Sequence, residues 1–172
     1  DDSCLHAASR YESNGDVVSL LLSRGGDALL TARCGDGDSR DNGCTPLHAA
    51  VKLGHDGVAR ILLRHGAALD AFAAAGLGMS DWLAQLGADL GAADANGWTP
   101  LHWASSCGRS ETVRYLLDKG VSSDARDRYG RTPTHQAVLA GQDAVTQVLA
   151  PHGAPLDDFA NAALGNAEAV VS

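Results

Sequence analysis

Apolar residues recur at helical spacing in four places: Val18, Leu21 and Leu22; Ala59, Leu62 and Leu63; Val113, Leu116 and Leu117; Val145, Val148 and Leu149. Positions i, i+3 and i+4 share one face of a helix, so each trio predicts a short amphipathic helix. A glycine follows each trio, at Gly25, Gly66, Gly120 and Gly153, where a left-handed helix cap favours a residue without Cβ. Another helix is predicted ahead of each. Thr45-Pro46-Leu47-His48-Ala49-Ala50, Thr99-Pro100-Leu101-His102-Trp103-Ala104 and Thr132-Pro133-Thr134-His135-Gln136-Ala137 open three of them, and Ser3-Cys4-Leu5-His6-Ala7-Ala8 is a weaker version. Thr caps a helix through its hydroxyl, and Pro suits the first helical position, where its missing N–H costs nothing. Gly54, Gly108 and Gly141 then break each unit into two short helices.

Thr99 and Thr132 are 33 residues apart, and His48–Gly66, His102–Gly120 and His135–Gly153 each span 18. A helix pair this short cannot hide its apolar face alone, so the units must stack. The period and the Thr-Pro-Leu-His-x-Ala motif resemble the ankyrin repeat. Asp94-Ala95-Asn96-Gly97-Trp98-Thr99 and Asp127-Arg128-Tyr129-Gly130-Arg131-Thr132 resemble that family's hairpin tip, and Gly87-Ala88-Asp89 its Gly-Ala-Asp turn. The resemblance covers essentially the whole chain. It implies an all-α fold, a helical solenoid of helix-turn-helix units with hairpin-like tips.

The pattern departs from regularity twice. Thr45 and Thr99 are 54 residues apart, which hides a shortened unit over about Leu69 to Ala88, without a hairpin tip and with a cut second helix. Leu156 to Gly165 repeats Leu69 to Gly78, so the end of the chain reads as a partial capping repeat. We therefore expect one domain over 1–172 with units near 1–34, 35–67, 68–88, 89–121, 122–154 and 155–172. The second departure is an insertion around 26–43. Its Asp36-Gly37-Asp38 resembles a fragment of a calcium loop but lacks the distal bidentate acid, so no metal is expected there.

Composition narrows the function. The chain is 45% hydrophobic but only 5% aromatic, which suits thin, closely stacked helical layers. Its net charge of −8 argues against a nucleic-acid or anionic-membrane surface, since binding phosphates needs a basic face. Cys4, Cys34, Cys44 and Cys107 form no zinc-site pattern. Their scatter suggests free thiols in a reducing compartment, hence the cytoplasm; Cys34 and Cys44 would bridge only in a secreted protein. The chain opens on Asp1 and its single methionine is Met79, so we expect a piece of a longer chain.

GxSxG, Walker A, GxGxxG and HExxH are all missing from the sequence, and adjacent acids such as Asp157/Asp158 diverge on a helix. The expectation is a non-enzymatic protein without a cofactor. The resemblance implies that the motif histidines tie neighbouring repeats together by hydrogen bonds. It also implies a scaffold-like, monomeric module that binds a protein partner through a concave face of tips and first helices. Carried onto this sequence, the candidate contacts are Arg40, Asp41, Asn42, Lys52, Asn96, Trp98, Trp103, Ser106, Arg128, Tyr129 and Arg131. The aromatic and arginine residues have the chemistry of binding hot spots. Trp103 reads equally well as core, packing in place of a leucine, whereas Trp98 at a tip is harder to explain by packing. The alternative is a small-molecule or catalytic pocket at the shortened unit, lined by Trp82, Trp98 and Trp103.

Overall fold

A computed structural model of the chain describes residues 4–11, 14–24, 29–33, 43–86 and 89–152. Its helices, in chain order, are α1 (Cys4–Ser9), α2 (Gly15–Ser23), α3 (Pro46–Lys52), α4 (Asp56–Arg64), α5 (Ala71–Leu77), α6 (Ser80–Leu86), α7 (Pro100–Ser106), α8 (Ser110–Asp118), α9 (Pro133–Leu139) and α10 (Asp143–Leu149). The described residues contain no strand. The predicted capping repeat over 155–172 and the Asp36-Gly37-Asp38 stretch lie outside them.

The local chemistry matches the sequence pattern. Thr45, Thr99 and Thr132 sit in extended backbone immediately before α3, α7 and α9, each followed by Pro at the helix start. Gly66 and Gly120, after α4 and α8, take left-handed backbone with φ 90° and 77°, which a side chain would strain. Each second helix turns one stripe inward: Val58, Ala59 and Leu62 in α4; Thr112, Val113 and Leu116 in α8; Val145, Thr146 and Leu149 in α10. Burying an aliphatic side chain of this size stabilises by about 1.5–3 kcal/mol.

The chain divides into two compact units, residues 1–73 and 74–172, with the division inside α5. In the first unit α1 packs on α3 and α2 on α4; in the second α7 packs on α9, and α8 on both α6 and α10. First helices thus pair with first helices and second with second, which is the stacking that two-helix units require. Nine residues form α4 and α8, and seven form α6 and α10.

The stack is tied by two sets of polar contacts. The motif histidine accepts through Nδ1 from the capping threonine. Thr99 N–H and Oγ1 reach His102 at 3.1 and 2.9 Å, while His102 Nε2 donates to the Arg131 carbonyl of the following repeat at 3.1 Å. His48 has a different partner. Its Nε2 meets the Asp70 carboxylate at 3.0 Å. Asp70 also accepts from the Ala73 N–H at 2.9 Å, so in the tipless unit an aspartate takes the place of a backbone carbonyl. Burial alone would raise the Asp70 carboxyl, but the His48 bond and charge and the Ala73 and Phe72 amides outweigh it and hold its pKa below 3.8.

The second set was not anticipated from the sequence. The residue before α4, α8 and α10 reaches back to a carbonyl in or just after the first helix of the preceding repeat. His55 Nε2 donates to Arg10 O at 3.0 Å and Arg109 Nε to Gly76 O at 2.8 Å. Gln142 Nε2 donates to Ser106 O at 3.5 Å.

Candidate functional site

Two hairpin tips of the second unit, Asp94–Trp98 and Asp127–Arg131, are built alike. Asp94 N–H donates to Trp98 O and Asp127 N–H to Arg131 O, both at 2.9 Å, and Gly97 and Gly130 close the turns. One oxygen of each aspartate holds the turn from inside. Asp94 Oδ1 accepts from the Asn96 and Trp98 amides at 2.8 and 2.9 Å, and Asp127 Oδ1 from the Tyr129 and Arg131 amides at 2.8 and 2.9 Å. A short acidic side chain suits this role because it reaches its own backbone two residues on. The tips then join: Arg128 N–H donates to Asn96 O at 3.0 Å and Arg128 Nη1 to Asn96 Oδ1 at 3.2 Å. Gly97 has φ 78°, and a Cβ there would come within 3.0 Å of Arg128 N.

The second oxygens gather side chains. Asp127 Oδ2 accepts from Trp98 Nε1 at 3.2 Å, Arg131 Nε at 2.9 Å, Arg131 Nη2 at 2.8 Å and Gln136 Nε2 at 3.0 Å. Asp94 Oδ2 accepts from Trp103 Nε1 at 3.1 Å. Trp103 and Gln136 both lie nine residues after their aspartates, so they are the same repeat position with two donors of different size. Burial alone would raise the Asp127 carboxyl. The Arg131 side chain, the Arg131 and Tyr129 amides and the Arg131 charge together outweigh it and hold the pKa below 3.8. Burial dominates at His102, where it pushes the ring below 6.5 against the Arg131 carbonyl and the charges of Asp127 and Asp94. That ring is neutral in its Nε2–H form.

These contacts redistribute the predicted site. Trp98 and Trp103 are 7% and 1% exposed. They meet edge to face with centroids 5.6 Å apart, and Trp98 also stacks on His102. The expectation that Trp98 presents its ring to a partner is therefore corrected: both indoles lie in the repeat interior, because each N–H has a carboxylate there and each ring a neighbour. Asn96 is buried as well and positions Arg128. Ser106 is half-buried at the end of α7, where its carbonyl receives Gln142. Lys52, half-buried, ends α3 in the first unit. Arg40, Asp41 and Asn42 lie outside the described residues.

An exposed cluster remains on the Asp127–Arg131 tip. Tyr129 is 51% exposed. The guanidinium carbons of Arg128 and Arg131 lie 5.3 and 4.8 Å from its ring centroid, within cation–π range. Arg126, outside the predicted set, joins it by donating from Nη1 to Gly130 O at 2.7 Å. Arg128 and Arg126 are exposed, while Arg131 is half-buried by its pairing with Asp127. The structure also contains an open cavity of about 480 Å³ between α8 and α10, lined by residues including Arg114, Leu117, Gln147 and His152. It is away from Trp98 and Trp103.

Among the described residues no helix is long and apolar enough to cross a membrane, and Cys44 is buried and Cys107 half-buried. A family model described as ankyrin repeats (3 copies) matches residues 1–73 and 69–160. The chain is 36% identical over 134 residues to neurogenic locus notch homolog protein 2 of Homo sapiens, covering 70% of this chain and 5% of that protein. It is 36% identical over 137 residues to neurogenic locus notch homolog protein 1 of Mus musculus, covering 72% and 5%. It is 33% identical over 122 residues to transient receptor potential cation channel subfamily A member 1 of Homo sapiens, covering 71% and 8%. The chain thus spans less than a tenth of the length of these relatives.

Proposed function

Since the chain belongs to the ankyrin-repeat family, whose members are generally protein-interaction modules and typically non-catalytic, we propose that it binds a partner protein through its tips and first helices. The observation that carries this reading is the tip of residues 127–131. An aromatic ring stands exposed there, with arginines over it, on a turn that Asp127 holds from beneath through the Tyr129 and Arg131 amides. Tyrosine and arginine are the residues that concentrate binding energy at interfaces, and a rigid mount lowers the entropy cost of association. Trp98, Trp103 and Asn96 act in this reading as the mount. The module is further proposed to be cytoplasmic, with the scattered spacing of Cys4, Cys34, Cys44 and Cys107 in the sequence as support.

The test is quantitative capture from a host extract by the wild-type chain and by Tyr129→Ala, with thermal melting of both. We expect a protein that the wild type enriches and Tyr129→Ala loses at an unchanged melting temperature. Identical captured sets would sink this site.

A further inference from the structure

We infer that the His102 ring is a pH-sensitive latch on the Asp127–Arg131 tip, closed while the ring is neutral and loosened when it takes up a proton. The first ground is hydrogen-bond geometry. Nε2 donates to Arg131 O at 3.1 Å, and that carbonyl also closes the tip by accepting from the Asp127 N–H at 2.9 Å. Nδ1 accepts from the Thr99 N–H at 3.1 Å and lies 2.9 Å from Thr99 Oγ1. A backbone amide only donates, so Nδ1 holds a lone pair and Nε2 the hydrogen. An added proton therefore goes to Nδ1, where two N–H groups then face each other. Thr99 Oγ1 can accept the new hydrogen, but the Thr99 amide is left without an acceptor. The ring is driven to turn, and turning takes Nε2 off Arg131 O.

The second ground is where the ring lies. His102 is 0% exposed, so a charge cannot be hydrated in place. Trp98 stacks on it with centroids 6.3 Å apart and donates through Nε1 to Asp127 Oδ2. A turning ring thus disturbs the tip twice, at its closing carbonyl and at the indole bonded to Asp127. Among the described residues, the charged groups that act on the ring are Asp127 and Asp94, which favour its charged form, and Arg131, which opposes it. The one other ionisable side chain on α7 or α9 is His135, and Glu111, Arg114 and Asp118 of α8 are exposed. Burial outweighs the Arg131 carbonyl and the two carboxylates and holds the ring below 6.5. Since the folded value lies under the unfolded one, the latch is intact above 6.5 and is lost as pH falls through the folded value. For the proposed binding surface this means capture near neutrality and release on acidification.

The test is a nuclear magnetic resonance titration of the isotope-labelled full chain from about pH 7.5 to 5, across the usual histidine range. It follows the His102 ring nitrogens and the amides of Thr99, Asp127 and Arg128, the last of which joins the tips through Asn96 O. The three amides are expected to shift with the midpoint of the ring. Hydrogen exchange of Asp127 and Arg128, corrected for its intrinsic pH dependence, should quicken about fivefold, as loss of one hydrogen bond gives. The Val113 and Leu116 amides of α8 should stay protected. In His102→Gln the tip amides should no longer titrate. Circular dichroism checks that this variant folds, and if it does not, the wild-type midpoints decide alone. A Thr99 amide that follows the ring while Asp127 and Arg128 do not overturns the latch, because the effect then stops at the helix cap. So does a ring that stays neutral throughout, or loss of α8 protection at the same midpoint, which is unfolding of the whole unit. Tip amides that still titrate in folded His102→Gln put the sensor elsewhere and overturn it too. The spectra need no partner, so their failure leaves the binding reading standing.

Discussion

Asp127→Asn removes a charge and little volume, so its cost isolates the buried acceptor. If the amide oxygen takes the Oδ1 position, the Tyr129 and Arg131 backbone bonds survive. The amide nitrogen then replaces Oδ2, where Trp98 Nε1, two nitrogens of Arg131 and Gln136 Nε2 all point as donors. A donor facing donors leaves them unsatisfied, and Arg131 loses its counter-charge. Hydrogen bonds to charged groups contribute about 1.5–3 kcal/mol each, but bonds to a single atom are not additive. Breaking one side of a buried ion pair costs about 3–5 kcal/mol. The Arg131 side chain, 24% exposed, regains part of this by turning to water, which leaves about 2–4 kcal/mol. Asp94→Asn is the internal control. It keeps the same two backbone bonds and loses a single side-chain donor, Trp103, so about 1.5 kcal/mol, the low end of that range, is expected. Urea unfolding of both variants, followed by circular dichroism and tryptophan fluorescence, compares them. Because repeat arrays unfold nearest-neighbour fashion, the Asp127→Asn loss is expected first in the last repeats, as a shallower or earlier transition. A cost below about 1 kcal/mol for Asp127→Asn, or equal costs for the two variants, would refute the acceptor-hub account.

Four further outcomes follow from the same geometry. Trp98→Ala is expected to cost about 3–5 kcal/mol in urea unfolding while Tyr129→Ala costs no more than about 1, since one ring is interior and the other exposed. Gly97→Ala should lower the thermal midpoint, by about 1–3 kcal/mol in stability, because it strains left-handed backbone and crowds Arg128 N; an unchanged midpoint would count against the close approach. Thr134 stands where the other motifs have Leu47 and Leu101, is 3% exposed, and its hydroxyl has no hydrogen-bond partner among the described residues, so Thr134→Val should stabilise by about 1 kcal/mol in the same assay. His102 titrates below 6.5 in the folded chain; the unfolded chain therefore binds its proton first as pH falls through 6.5, and this contribution to stability is intact above 6.5 and lost on acidification. Stability measured from pH 7.5 to 5 should fall less steeply in His102→Gln than in the wild type, and parallel profiles would show that the ring is not held neutral.

The helices and their starts could be read from the sequence because what decides them is local. Thr45, Thr99 and Thr132 act on amides a few residues on, and the i, i+3, i+4 trios depend on one helix alone. The short unit was readable too, since a deletion of tip and helix residues changes spacing directly. Tip interiors are decided by contacts that spacing within one repeat does not contain. Trp98 looked exposed because hairpin tips usually are, yet its acceptor lies 29 residues away on Asp127. The signal was present in the alignment of Asp94 with Asp127, 33 residues apart: it sets Trp98 opposite Arg131 and Trp103 opposite Gln136, and all four donate to one of the two aspartates. The back-reaching residues were harder to find, because His55, Arg109 and Gln142 share a role but no side-chain type, only an N–H on a long enough arm. What an exposed tip residue does is set by what lies beneath it. In the proposed binding reading Asp127 fixes the Tyr129 amide, Arg131 its ring and Asn96 its neighbour Arg128, and only the last of these, from the preceding repeat, lies beyond what a single-repeat pattern contains.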